Sequence, residues 1–210
     1  LCGQFERVTL DTLDPQQAAA WAQHELKGVR GARAMIPFLI QWLGAYPWYL
    51  AVFLKRLREL AALTHAASFS EALFLQTAWD VLGSAEGPLH QWCCSRTEGL
   101  SQVRRGARAL ETLLQVAGGT RTATEIGRQV GRTGLSETLQ LLLERDLVSR
   151  NGTCWVVADP IIRCWLSTIL RSQRIDARPN REEVRARFEQ YLRNLWGQWI
   201  HTTELSFSEQ

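Results

Sequence analysis

The fold is decided by residues 121–157, which read RTATEIGRQVGRTGLSETLQLLLERDLVSRNGTCWVV. Thr122 and Glu125 have the spacing of a capping box, which predicts a short helix that ends at Gly131. Leucines at helical spacing then predict another helix that ends near Arg145. Two strand-like runs follow, and the Asn151-Gly152 pair between them is a strong hairpin signal. With an amphipathic helix before residue 121, this order predicts a winged helix-turn-helix over residues 101–159.

The preceding part of the chain predicts an all-helical bundle over residues 15–100. Asp14 followed by Pro15 is the pattern of a helix N-cap and a first-turn proline, and predicts a helix over residues 15–27. Further helices are expected over about residues 33–43, from Pro47, and after Ser68 or Ser70. Residues 84–102 contain a Gly-Pro pair and predict the internal boundary, which we place near residue 101, with a short helix at 89–92.

The two ends of the chain predict a strand and linker at the amino terminus and helices at the carboxyl terminus. Residues 5–10 alternate apolar and polar side chains, so residues 1–14 predict a strand and linker that leave a preceding domain. Asp159 and Pro160 show the same pattern of an N-cap followed by a first-turn proline, and predict a helix. A final helix is predicted to carry many aromatic side chains along one face. We expect residues 160–210 to be helices that pack on the winged helix. The predicted fold class is therefore mainly α, a helical bundle followed by a winged helix-turn-helix, a small β-hairpin wing and C-terminal helices.

Composition excludes several classes of protein. The net charge of +3 is only mildly basic for 210 residues, so charge alone does not indicate nucleic-acid binding. No apolar stretch is long enough for a membrane span, and the amino terminus lacks a signal-peptide pattern. The five cysteines are scattered, which favours reduced thiols and a cytoplasmic location without membrane contact. Since the single methionine is Met35, we expect this chain to be a piece of a longer protein.

Residues for catalysis or metal binding are not arranged in a recognisable pattern. The four histidines lie at none of the spacings that metal ligands require, so no metal site is predicted. Neither of the two lysines follows the glycine-rich pattern of a phosphate-binding loop. We therefore expect no catalysis by this chain alone.

A winged helix also suggests DNA binding, with the exposed face of its recognition helix in the major groove. Glu137 and Glu144 oppose this interpretation because they would approach phosphates without a compensating basic cluster. A structural or protein-contact role is the alternative. The candidate residues for contact with nucleic acid or a protein partner are Arg132, Ser136, Gln140 and Arg150.

Two short motifs carry a family resemblance that covers nearly the whole chain. The first is the Gly-x-x-Pro turn at Gly44 and Pro47, and the second is the segment DPIIRCW at residues 159–165. In this order, within a helical bundle and after a winged helix, they resemble the C-terminal half of archaeal-type ATPases of the signal-transduction class, which is related to the AAA+ P-loop ATPases. The resemblance implies a lid and winged-helix module whose P-loop core lies upstream and is missing here.

By this resemblance, Gly44, Tyr46 and Pro47 would border the adenine of ATP or ADP in the full-length ATPase. Pro47 would pack on the base, although it could equally serve only to start a helix. The chain departs from the best-known relatives in lacking a winged-helix histidine that could reach the β-phosphate. We expect this chain to be a regulatory module that does not bind nucleotide tightly by itself. Its partners would be the upstream core and a protein partner or a second copy.

Two alternatives remain open at this point. The first is a winged-helix transcriptional regulator that binds DNA and uses the helical bundle for oligomerisation or effector binding. The second is a protein-interaction scaffold that docks a partner on the aromatic face of its last helix.

Overall fold

The computed structural model describes residues 12–66, 68–101, 106–119, 121–175 and 180–208. The strand predicted at residues 5–10 lies outside these ranges. The described part is mainly helical, with one small antiparallel sheet. The predicted fold class is confirmed at this level. Within these ranges, no helix combines the length and the hydrophobicity that a membrane span requires.

Five α-helices and one π-helical segment build the amino-terminal bundle. They are α1 (Pro15–Glu25), α2 (Ala32–Leu43), α3 (Pro47–Leu63), α4 (Glu71–Ala78), the first π segment (Trp79–Gly83) and α5 (Pro88–Ser101). Asp14 caps α1 as predicted, since its carboxylate accepts from the backbone N–H groups of Gln16 and Gln17. The Ser70 side chain caps α4 in the same way, by accepting from Leu73 N. The predicted helix starts therefore hold in this part of the chain.

Helix α5 corrects the expectation of a short helix at 89–92. It runs for 14 residues and begins at Pro88, which is tolerated at the first position because the N–H that it lacks would have no helical partner there. Its buried side chains lie on one helical face and are Leu89, His90, Cys93, Thr97 and Leu100. This face packs α5 against α6 as well as against the bundle, so the segment joins the two halves of the molecule.

The following unit has the helix order that the sequence predicts. It consists of α6 (Gly106–Ala117), β1 (Arg121–Thr122), α7 (Ala123–Val130), α8 (Leu135–Glu144), β2 (Ser149–Asn151) and β3 (Cys154–Val156). The Thr122–Glu125 capping box is present in both directions. Strands β2 and β3 form the predicted hairpin, but Asn151 pairs with Cys154, so the turn is Gly152-Thr153 rather than Asn151-Gly152. Strand β1 adds a third strand in the order β1-β3-β2. We call residues 106–159 the hairpin unit.

The last segment comprises α9 (Pro160–Trp165), the second π segment (Leu166–Leu170), α10 (Arg171–Ile175) and α11 (Arg181–Ser208). We expected all of residues 160–210 to pack on the winged helix. The second π segment does contact α6, whereas α11 contacts both π segments. Trp196 of α11 packs on Phe38 and Phe74, with ring centroids 5.3 and 5.2 Å apart. The aromatic stripe of α11 is thus buried mainly by the amino-terminal bundle, because that is where complementary rings are available.

The first π segment depends on a glycine. A Cβ at Gly83 would lie only 2.2 Å from the Trp79 ring, so no other residue fits there without displacing the indole. The buried apolar side chains of both halves of the chain form one continuous core. A single core explains why the two halves meet along a well-packed seam.

Candidate functional site

A cavity of about 530 Å³ opens along the seam between the bundle and the hairpin unit. The bundle contributes the start of α3 and one side of α5, and the hairpin unit contributes the end of α8, the start of β2 and the segment before α9. The lining residues are Tyr46, Pro47, Trp48, Tyr49, Trp92, Arg96, Leu143, Asp146, Val148, Ser149, Ala158, Asp159 and Ile162. We call this cavity the seam pocket.

The turn before α3 sets one wall of the seam pocket. Gly44 adopts the left-handed conformation with φ of 70°, and a Cβ there would lie 3.0 Å from Cγ of Pro160. Glycine therefore lets the turn approach the start of α9 closely. Pro47 occupies the first position of α3 after Tyr46, so its ring lies at the pocket wall without removing a helical hydrogen bond.

Four aromatic side chains line the bundle side of the pocket. The rings of Tyr46 and Tyr49 lie 5.0 Å apart, and Tyr49 meets Trp92 edge to face at 5.2 Å. Trp48 is 44% exposed, and its ring lies 6.1 Å from that of Trp92. Flat surfaces of this kind favour a planar ligand, because stacking adds to the burial of apolar area.

Asp159 is the central polar group of the seam pocket. One carboxylate oxygen accepts from the N–H groups of Ile161 and Ile162, both at 2.9 Å, and so caps α9. The other oxygen accepts from the Tyr49 hydroxyl at 2.7 Å. Burial raises the pKa of Asp159, and these hydrogen bonds and Arg96 oppose that rise. Burial, followed by the charge of Asp159, raises the pKa of Tyr49, which keeps this hydroxyl a neutral donor.

Arg96 brings a positive charge to the same pocket. Its Nη2 donates to the backbone carbonyl of Arg145 at 2.8 Å, which ties α5 to the end of α8. Its Nε is buried and has no acceptor among the described residues. The exposed carboxylate of Asp146 also lines the pocket. An anionic group on a ligand would therefore be favoured near Arg96 and disfavoured near Asp146.

The structure brings part of the predicted nucleotide site to this pocket. Tyr46 and Pro47 line it directly, while Gly44 lies behind them against Pro160. The sequence did not predict that Trp92, Arg96 or Asp159 would join them. Asp159 was singled out as a helix N-cap and as the first residue of the DPIIRCW motif, but neither observation predicted its place in the pocket. No local pattern indicated Arg96, which reaches the pocket from α5, a helix longer than the sequence predicted.

The predicted contact residues lie elsewhere, at two separate places. Ser136 and Gln140 are exposed on α8, where Gln140 donates to Glu144 at 3.1 Å, and Arg132 is exposed in the turn before α8. Arg150 lies on β2 and is also exposed. The four residues therefore do not form one site within a single element.

No group of three or more His, Cys, Asp or Glu side chains within the described ranges could hold a metal ion. Comparison with known proteins finds no matching family model, no matching curated protein and no matching solved structure. The geometry of the seam pocket is therefore the main basis for a functional proposal.

Proposed function

We propose that this chain is the regulatory lid and winged-helix module of a nucleotide-dependent switch ATPase. The observation that carries the proposal is the position of the seam pocket, which is bordered by the Gly44–Pro47 turn on one side and by the hairpin unit on the other. The module itself performs no catalysis in this proposal. The P-loop core, with its phosphate-binding loop, belongs to the upstream part of the full-length ATPase.

A ligand in the seam pocket contacts both halves of the molecule. Pro47 and Trp92 belong to the bundle, whereas Val148 and Ser149 belong to the hairpin unit. A ligand that makes different contacts in two arrangements of these halves shifts the equilibrium between them. ATP and ADP would thereby favour different positions of the hairpin unit, which would pass the change to a protein partner.

The chemistry of the pocket suits an adenine nucleotide held jointly with the core. The Pro47 ring offers a flat apolar contact for a base, and Tyr46 lies beside it. The Arg96 guanidinium supplies a positive charge for a phosphate group. Because the pocket is open to one side, we expect the isolated module to bind nucleotide weakly.

Calorimetric titration with ADP and ATP tests the proposal on two proteins. One is this 210-residue chain, and the other is the chain extended upstream in its reading frame. We expect binding by the longer protein and negligible binding by the shorter one. Absence of binding by the longer protein, or tight binding by the shorter one, would overturn the proposal.

Variants of the longer protein locate the base contact. Pro47→Ala should weaken ADP binding about fivefold, as expected for the loss of roughly 1 kcal/mol of apolar contact. Pro88→Ala is the matched control, since Pro88 also stands at the first position of a helix but does not line the seam pocket. Equal effects of the two substitutions would show that Pro47 only starts α3.

A further inference from the structure

Three side chains form a row across the small sheet. Trp155 on the central strand β3 pairs with Arg121 on β1 and with Arg150 on β2. Residues directly opposite on antiparallel strands project to the same face of a sheet. Arg121, Trp155 and Arg150 therefore stand side by side on one face, and we call them the Arg-Trp-Arg row.

The row presents an aromatic ring between cations. Arg150 is exposed, and its guanidinium carbon lies 5.9 Å from the centroid of the half-buried Trp155 ring. Arg121 is half-buried, and its Nη2 lies 3.5 Å from the place that a Cβ would take at Gly118. The Nη2 of Arg171 lies 3.6 Å from that same place. A third cation thus extends the positive charge beyond Arg121.

The strands that carry the row have no acidic side chains of their own. The three strands contain Arg121 and Arg150 but no Asp or Glu. Among the described residues, neither arginine forms a salt bridge. The charge of Arg121 acts on Glu125 in the following helix, but the Glu125 carboxylate accepts from the backbone N–H and the hydroxyl of Thr122. These hydrogen bonds, followed by the charge of Arg121, lower the pKa of Glu125. The row therefore remains available to an anionic partner.

We propose that the Arg-Trp-Arg row binds single-stranded nucleic acid. A base would stack on Trp155 in place of the Arg150 guanidinium, which lies over that ring. The phosphates on either side of the base would then contact Arg121 and Arg150. Two strand spacings separate the arginines by about 10 Å between Cα atoms, and their side chains can span the backbone around one stacked base. This proposal rests on the sheet alone, so it is independent of the proposed nucleotide switch.

A single strand fits this surface better than a duplex does. A duplex would also have to approach the outer face of α8, where Glu137 and Glu144 are exposed. Those carboxylates would repel its phosphates, and Gln140 is already bonded to Glu144. A flexible single strand can follow the sheet and avoid the acidic helix.

Fluorescence anisotropy with labelled oligo-dT of about 16 nucleotides tests the proposal, since that length covers the site of a small single-strand-binding domain. The double substitution Arg121→Ala and Arg150→Ala should weaken binding about tenfold and make the slope of log K against log salt shallower by about 1.4. The matched control is Arg33→Ala with Arg128→Ala, which removes two exposed arginines outside the sheet. This control should weaken binding by less than about threefold.

Substitutions at Trp155 separate stacking from charge. Trp155→Ala should weaken binding about tenfold with an unchanged salt slope, and Trp155→Phe should restore most of the affinity because it keeps a ring. Circular dichroism and thermal melting of each variant show whether the sheet still folds. If Trp155→Ala unfolds the unit, the comparison of Trp155→Phe with the double arginine variant still tests the row.

Three outcomes would overturn the proposal. The first is an absence of oligo-dT binding at low salt. The second is an equal loss in the Arg33 and Arg128 control, which would indicate attraction to positive charge in general. The third is tighter binding of a duplex that Gln140→Glu abolishes, because α8 would then be the contact surface.

Discussion

Removal of the Tyr49 hydroxyl tests the contact that joins the two halves of the molecule. The hydroxyl donates to Asp159 at 2.7 Å, and Tyr49 is only 3% exposed. Tyr49→Phe keeps the ring and so creates no large cavity, but it removes one of the three donors to the carboxylate. A hydrogen bond to a charged acceptor contributes about 1.5–3 kcal/mol, so we expect the free energy of unfolding to fall by about 2 kcal/mol at neutral pH.

The cost of Tyr49→Phe should depend on pH in a defined direction. Burial holds the pKa of Asp159 above its usual 3.8 in the folded protein, so the folded state keeps a proton that the unfolded state releases. Stability contributed by this group is therefore present at low pH and is lost as pH rises through the folded pKa. Because the Tyr49 hydrogen bond opposes the rise of that pKa, its removal should raise the pKa of Asp159 further. The free energy of unfolding should therefore fall more for the variant than for the parent as pH increases from 3.8 to neutrality.

Urea unfolding followed by tryptophan fluorescence measures both effects, with samples between about pH 3.5 and pH 7. Tyr46→Phe is the matched control, because the Tyr46 ring contacts Tyr49 but its hydroxyl forms no described bond with Asp159. The control should change stability by less than about 0.5 kcal/mol. An equally small change for Tyr49→Phe at neutral pH, or a cost that does not vary with pH, would refute the reasoning.

Two further predictions concern backbone positions. Gly44→Ala should lower the free energy of unfolding by about 1–2 kcal/mol, because φ is 70° and the new Cβ would meet Pro160. The control is Gly31→Ala, where φ is 76° but the Cβ would enter open space. In the same urea assay, this control measures the cost of the backbone conformation alone. Equal costs at both glycines would contradict a role for the Pro160 contact. Thr122→Ala should cost about 1 kcal/mol through loss of the capping box, while Thr133→Ala at an exposed site should cost almost nothing. A thermal shift that is the same for both threonine variants would argue against the cap.

Local chemistry made much of the fold predictable. Asp14 and Asp159 accept from backbone N–H groups at helix starts, and such caps depend only on neighbouring residues. Thr122 and Glu125 formed their box for the same reason. The hairpin was also predicted, although its turn is shifted by one residue, because Asn151 pairs with Cys154 and leaves Gly152 and Thr153 as the turn. These signals act over four residues or fewer, so the sequence carries them directly.

Long-range contacts explain what the sequence could not predict. The Tyr49–Asp159 hydrogen bond joins residues 110 positions apart, so no local sequence pattern predicts that the two residues are partners. Arg96 reaches the seam pocket from α5, whose interrupted apolar pattern and Gly-Pro start hid a long helix. The third strand at Arg121 was missed because two residues are too short for a periodic pattern. The pocket was therefore predictable only on the side formed by Tyr46 and Pro47.

The two π segments predict how this sequence aligns with those of its homologues. A π turn holds one residue more than the α turn that it replaces, since its hydrogen bonds span five residues rather than four. The segments Trp79–Gly83 and Leu166–Leu170 therefore each correspond to a one-residue insertion within a helix. A homologue with regular helices should align with single gaps inside these helices, and both gaps would fall beneath α11.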